Sequence, residues 1–180
     1  MEQQSITFQS VQDSYKFLKN LGASPHLMQH VKLVGEAAEL LILQFQQLNI
    51  SFDSDWIRLG VDFHDVGKIL HPSELIKKGN EHEVVGEVLL LSHGVDPKIA
   101  RCCRSHGQWQ HIECDFEELV VALADNLWKG KRNTELENKV ITKVAKMCRQ
   151  DYWNIFIALD SGFEKIAAEG DLRLFHSIPT

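Results

Sequence analysis

Apolar residues recur along this chain at spacings of three and four, and no stretch keeps the period of two of a half-buried strand. The pattern predicts helices throughout. A first helix, near Phe8 to Leu21, carries Phe8, Val11, Tyr15 and Leu18 on one side and ends at Gly22. Ser24 as N-cap and Pro25 at the first helical position open a second. Its stripe of Leu27, Val31, Val34, Ala38, Leu41, Phe45 and Leu48 faces a core, with His30 flanking it and His26 on the surface of the first turn. Asp53 or Ser54 caps a third helix that runs through Trp56, Ile57, Val61 and Phe63 into His64-Asp65, where Gly67 is expected as a left-handed C-cap. Residues 70–80 read as a loop. A fourth helix starts near Glu81, with His82, Val85, Gly86 and Leu89 on one face, and closes at His93-Gly94.

Asp96-Pro97 opens a fifth helix in which Ile99, Cys102, Cys103 and His106 form an inward stripe. Asp115 and Glu118 have capping-box spacing for a sixth. The run Leu119 to Ala124 is apolar all round, which marks a central helix leading into Asp125-Asn126. After the basic turn Trp128 to Arg132, Thr134 and Glu137 suggest another capping box, and Asp151 caps a last helix ending at Gly170. Short connections between such helices predict an all-α fold, a compact multi-helix bundle. The expected layout is one domain over residues 1–180, its motif-bearing core at about 24–132, with an N-terminal helix and C-terminal helices packed on it.

Composition changes this picture little. The 180 residues suffice for a sizeable core, and the net charge of −6 argues against nucleic-acid polymers or an anionic membrane as partners. Residues 1–10 lack the features of a signal peptide, and no apolar run approaches a membrane span, so a cytoplasmic protein is expected. Cys102, Cys103, Cys114 and Cys148 show no CxxC spacing and read as reduced thiols. The nine histidines are numerous for this length.

His30, His82, His106 and Asp125 all occupy positions that should face a core. A lone buried histidine is commonly a satisfied core residue, and Asp125 could pair with Lys129 one turn later. Four such residues on four helices that flank His64-Asp65 are explained together by one metal centre. His64 offers a neutral nitrogen and Asp65 a hard oxygen, a pair suited to a divalent ion.

The order His30, His64-Asp65, Asp125 on helices resembles the HD-domain superfamily of metal-dependent phosphohydrolases. Phe63-His64-Asp65-Val66-Gly67-Lys68 is similar to its central motif and Ala124-Asp125-Asn126-Leu127 to its closing one. The resemblance implies a helical bundle around a metal held by His30, His64, Asp65 and Asp125. Subgroups with two further histidines between these motifs hold two ions, and His82 and His106 fall in that interval. Glu81-His82-Glu83-Val84-Val85-Gly86 and Arg104-Ser105-His106-Gly107 look most like the HD-type dinucleoside tetraphosphate hydrolases. The glycine-tyrosine-proline motif of the cyclic-dinucleotide group is absent.

The resemblance implies an enzyme that hydrolyses a phosphate ester or anhydride, of a nucleotide or dinucleotide, by a metal-activated water. Asp65 would bridge the ions. Lys68 would serve catalysis and substrate binding, with Lys129, Lys131, Arg132 and Arg104 as further phosphate contacts; the basic turn reads equally as a solvated loop. One or two divalent ions are expected per chain. The donor set favours Mn or Fe, is compatible with Zn, Co or Ni, and suits Mg less. The partner implied is a small phosphorylated substrate. Two alternatives stand: a mononuclear HD-domain nucleotidase, and a non-catalytic, metal-stabilised module that binds a nucleotide or protein. The sequence leaves oligomeric state open.

Overall fold

Ser24 and Pro25 start the longest helix in the computed structural model, which describes residues 6–177. The Ser24 hydroxyl accepts from the Leu27 amide at 3.2 Å. The helix, α2 (Pro25–Gln47), buries the predicted stripe from Leu27 to Phe45. α1 (Val11–Asn20) precedes it and α3 (Ser54–Phe63) follows, capped by Asp53. The chain continues through α4 (Glu81–Ser92), α5 (Pro97–Ala100), α6 (Cys102–Gln108), α7 (Phe116–Leu127), α8 (Thr134–Cys148), α9 (Tyr152–Ala168) and α10 (Gly170–Ser177). The described residues contain no strand, and the fold is all-α. The ends of the expected 1–180 span, residues 1–5 and 178–180, lie outside the described residues.

α7 is the axis. Leu119 to Ala124 are all at most 2% exposed, as a helix apolar all round requires. It packs against α2, α3, α6 and α8. Its start is fixed by the Asp115–Glu118 capping box, in which the Asp115 amide donates to Glu118 at 2.8 Å. Arg101 braces the same Glu118 carboxylate at 2.6 Å. None of the helices described is long and apolar enough to cross a membrane. Cys102, Cys103, Cys114 and Cys148 are free thiols.

Several boundaries differ from expectation. α1 begins at Val11 with Ser10 as its cap, so Phe8 lies before the helix, where it packs edge-on against Phe17 and Phe63. Gly67 is no left-handed cap. It sits in a 3-10 turn, Val66–Ile69, pressed against α4, and a Cβ there would lie 2.0 Å from the His82 carbonyl oxygen. Close approach of two backbones is what demands glycine there. A second 3-10 turn, Pro72–Leu75, interrupts the expected loop. The fifth predicted helix is divided at Arg101, whose ψ of −20° tightens the turn between α5 and α6. Asn133, not Thr134, caps α8, although Glu137 still reaches back, to the Asn133 amide at 3.0 Å. A further helix, α10, follows α9. Its Gly170 lies so close to the loop after α7 that a Cβ would meet the Gly130 amide at 2.2 Å.

Candidate metal centre

Five helices each deliver a polar side chain to one point at an end of α7. His30 comes from the flank of the buried stripe of α2. α3 ends at His64, and Asp65, with φ −107° and ψ 12°, leaves the helix for the 3-10 turn. That bend lets two adjacent side chains converge, which an unbroken helix would point about 100° apart. His82 stands in the first turn of α4, His106 in the last turn of α6 and Asp125 near the end of α7.

Asp65 is at the centre and 1% exposed. Its Oδ2 lies 2.8 Å from His30 Nε2 and 3.4 Å from His64 Nε2. Asp125 Oδ1 completes this group, 3.8 Å from His30 Nε2 and 3.7 Å from His64 Nε2. The other oxygen of Asp65, Oδ1, lies 3.1 Å from His82 Nε2 and 3.6 Å from His106 Nε2. One carboxylate thus presents an oxygen to each of two histidine pairs.

The imidazoles are oriented from behind. His64 Nδ1 donates to the Val61 carbonyl at 2.6 Å and His106 Nδ1 to the Cys102 carbonyl at 3.1 Å. A carbonyl only accepts, so these Nδ1 atoms carry the proton and each Nε2 presents a lone pair to the centre. His82 Nδ1 donates to Glu74 Oε2 at 2.5 Å, the carboxylate-histidine arrangement that orients metal ligands.

The electrostatics favour a cation. Burial opposes ionisation of Asp65, but His64, His30 and His82 outweigh it and hold the carboxyl well below the usual range. Burial likewise opposes ionisation of Asp125, and His64 and Lys129 outweigh it. Burial, then His64, pushes His106 down to about 4, and burial lowers His30 against the pull of Asp65. His64 moves the other way: burial lowers it, but Asp65 and Asp125 together raise it. His82 also rises, burial being outweighed by Asp65 and Glu74.

A divalent ion fits these residues on a direct observation. Asp65 Oδ1 and His82 Nε2 are buried, yet neither has a hydrogen-bond partner of acceptable geometry. Buried polar atoms without partners are rare in proteins, and both atoms are metal donors. Two trios, His30-His64-Asp65 and Asp65-His82-His106, each bring donor atoms within 4.8 Å of one another.

The centre forms the floor of a cavity of about 710 Å³. Lys68, Lys129 and Lys131, all read from the sequence as phosphate contacts, line it. Lys68 Nζ sits 2.6 Å from Asp65 Oδ2, and Lys129 Nζ 3.1 Å from Asp125 Oδ2. Arg132 does not join them: its guanidinium is held by Glu137 at 2.7 Å and Asp160 at 2.6 Å, which ties α8 to α9. Arg104 is also turned away, 3.5 Å from Glu87 of α4. Neither arginine, both expected as substrate contacts, is part of the cavity lining, and each is paired with a carboxylate on a neighbouring helix.

Sequence reasoning missed Lys78, Glu74, Glu83 and Trp109. Glu74 lies in the 3-10 turn Pro72–Leu75 and Lys78 in the irregular stretch between it and α4, where no periodicity points them anywhere. His26, read as a surface residue, is half-buried and lines the cavity.

The HD domain family model matches residues 27–141. An uncharacterised protein of Methanocaldococcus jannaschii is 29% identical over 153 residues, covering 77% of this chain and 86% of that protein. A tRNA (cytidine(56)-2'-O)-methyltransferase of Thermoplasma volcanium is 26% identical over 138 residues, covering 68% of this chain but only 38% of the methyltransferase. No solved structure matches the chain.

Proposed function

This chain belongs to the HD-domain family, the superfamily of metal-dependent phosphohydrolases, and on that premise we propose that it hydrolyses a phosphate ester or anhydride of a nucleotide or dinucleotide. The observation that carries the reading is the division of Asp65: Oδ2 faces His30 and His64, and Oδ1 faces His82 and His106, on the floor of a lysine-lined cavity. His30, His64, Asp65 and Asp125 would hold one divalent ion, and Asp65, His82 and His106 a second, with Mn or Fe favoured by the nitrogen-rich donors. Bound there, such ions supply a Lewis acid for the phosphoryl oxygens and lower the pKa of a bound water towards neutrality.

The chain's own residues do the rest. Lys68 and Lys129 bring positive charge to the carboxylates of the floor, and Lys78 and Lys131 add two more cations to the cavity lining. Together they neutralise a phosphate group and its developing charge in the transition state. Val61 O, Cys102 O and Glu74 hold protons on the Nδ1 atoms of His64, His106 and His82, which keeps each Nε2 aimed at the centre.

The cavity volume suits a small phosphorylated substrate, and the net charge of −6 disfavours a nucleic-acid polymer. The two extra histidines point to dinucleoside polyphosphates within this class. A screen of metal-reconstituted protein against nucleotides, dinucleoside polyphosphates and cyclic dinucleotides tests the reading. We expect phosphate or nucleotide release that chelator stops. No release from any of them by fully metallated protein would contradict it.

A further inference from the structure

Glu83 is a buried carboxylate that hydrolysis alone leaves without a task. It is 7% exposed, follows His82 in the first turn of α4 and lines the cavity. Gln108 Nε2 donates to its Oε2 at 2.7 Å. Among the described residues no lysine, arginine or histidine pairs with it, although four lysines line the same cavity. Burying an anion against a single neutral donor is costly unless something else pairs with it.

The surrounding fold makes room for that carboxylate. Glu83 Oε1 occupies the space a side chain at residue 107 would take: a Cβ on Gly107 would lie 2.2 Å from it. α6 and α4 therefore meet at a glycine beside His106, and the carboxylate sits in the gap.

A carboxylate repels phosphate, so Glu83 and the lysines address different parts of one ligand. That ligand carries phosphate at one end and uncharged hydrogen-bond donors at the other. The hydroxyl pair of a ribose has this chemistry, and acidic side chains bind it in dinucleotide sites. Trp109 and Trp128, both 6% exposed, are part of the cavity lining and make its wall partly aromatic, a fitting neighbour for the attached base. Building on the phosphohydrolase reading, we infer that Glu83 hydrogen-bonds the sugar hydroxyls of the substrate, so that the site selects ribonucleotides over deoxyribonucleotides. Gln108 is a positioning residue, holding Oε2 so that Oε1 is free for the sugar.

The test compares adenosine 5′-(α,β-methylene)diphosphate with its 2′-deoxy and 3′-deoxy counterparts, by titration calorimetry on metal-reconstituted protein. Binding is read without turnover, so failure here and failure of the hydrolase reading are told apart by the substrate screen. Hydrogen bonds to a charged group predict that wild type binds the ribose form roughly tenfold or more tightly than at least one deoxy form. Glu83→Gln should bring that ratio to about one, since the loss falls on the ribose form. Gly107→Ala should do the same by displacing only the flexible end of Glu83, which leaves the core packing in place. Equal binding of all three sugars by wild type overturns the inference. So does a ratio that persists in both variants while affinity falls equally for every sugar.

Discussion

At the level of single residues, Asp62 shows how burial couples to pH. It is 4% exposed beneath α1, where the Ser14 hydroxyl hydrogen-bonds its Oδ2. Burial, only partly offset by Ser14 and His64, raises its pKa from 3.8 to about 7. The folded state then holds a proton that the unfolded state has released, so stability is full below pH 3.8 and is lost as pH rises towards about 7. A shift of roughly three units corresponds to at most about 4 kcal/mol above that range. Asp62→Asn keeps a partner for Ser14 and removes the titration. Urea unfolding at about pH 5 and about pH 8 should show the variant gaining on wild type at the higher pH. An identical pH slope in the two proteins would contradict this account. Asp62 was not singled out from the sequence, because an aspartate beside Val61 and Phe63 on a short helix gives no sign of which way it points. The residues around Asp65 were legible for the opposite reason: His30, His82 and His106 stand on or beside apolar stripes, where a polar residue needs an explanation. Glu83 and Glu74 escaped because one is off its helix's predicted face and the other lies in a short 3-10 turn that periodicity does not reveal.

At the level of elements, N-terminal chemistry was the most legible part of the chain. Ser24, Asp53, Asp96, Asp115 and Asp151 all cap the helices expected of them. α10 was not foreseen, and its composition says why. Its apolar Leu172 and Phe175 are 59% and 73% exposed, while Gly170 and Arg173 are buried, so it carries no inward stripe. Arg173 is held instead by hydrogen bonds, to the Ile166 carbonyl at 2.6 Å and Glu169 at 2.7 Å. The 3-10 turn after Asp65 was likewise invisible, because a glycine following a helix reads as a cap. The structure gives Gly67 a different duty, and a test follows. Gly67→Ala places a methyl 2.0 Å from the His82 carbonyl and forces the turn away from α4. Overpacking of this kind costs about 1–3 kcal/mol, and backbone is the obstacle here, so the upper part of the range is expected. Urea unfolding measures it, and a loss below about 0.5 kcal/mol would show that the two backbones can separate freely.

For the whole molecule, the centre draws α2, α4, α6, α7 and the end of α3 to one point, so an ion bound there must stabilise the fold. An ion at about a hundred times its dissociation constant contributes about 2.7 kcal/mol. For a chain of this length that raises Tm by roughly 5–10 °C. Chelator should reverse the rise and Asp125→Ala should abolish it; melting curves that ignore both ion and chelator would deny the centre this role. The bundle as a whole was readable from periodicity, whereas the cavity was not, since its lining combines five helices with the segment before α4 and the loop after α7. The two-ion arrangement centred on Asp65 is tested most directly by elemental analysis. Wild type, His82→Ala and His106→Ala are each reconstituted with excess Mn and desalted without chelator. The arrangement predicts about two ions per chain in wild type and about one in each variant, with kcat collapsing in both. An unchanged metal content in the two variants would contradict it.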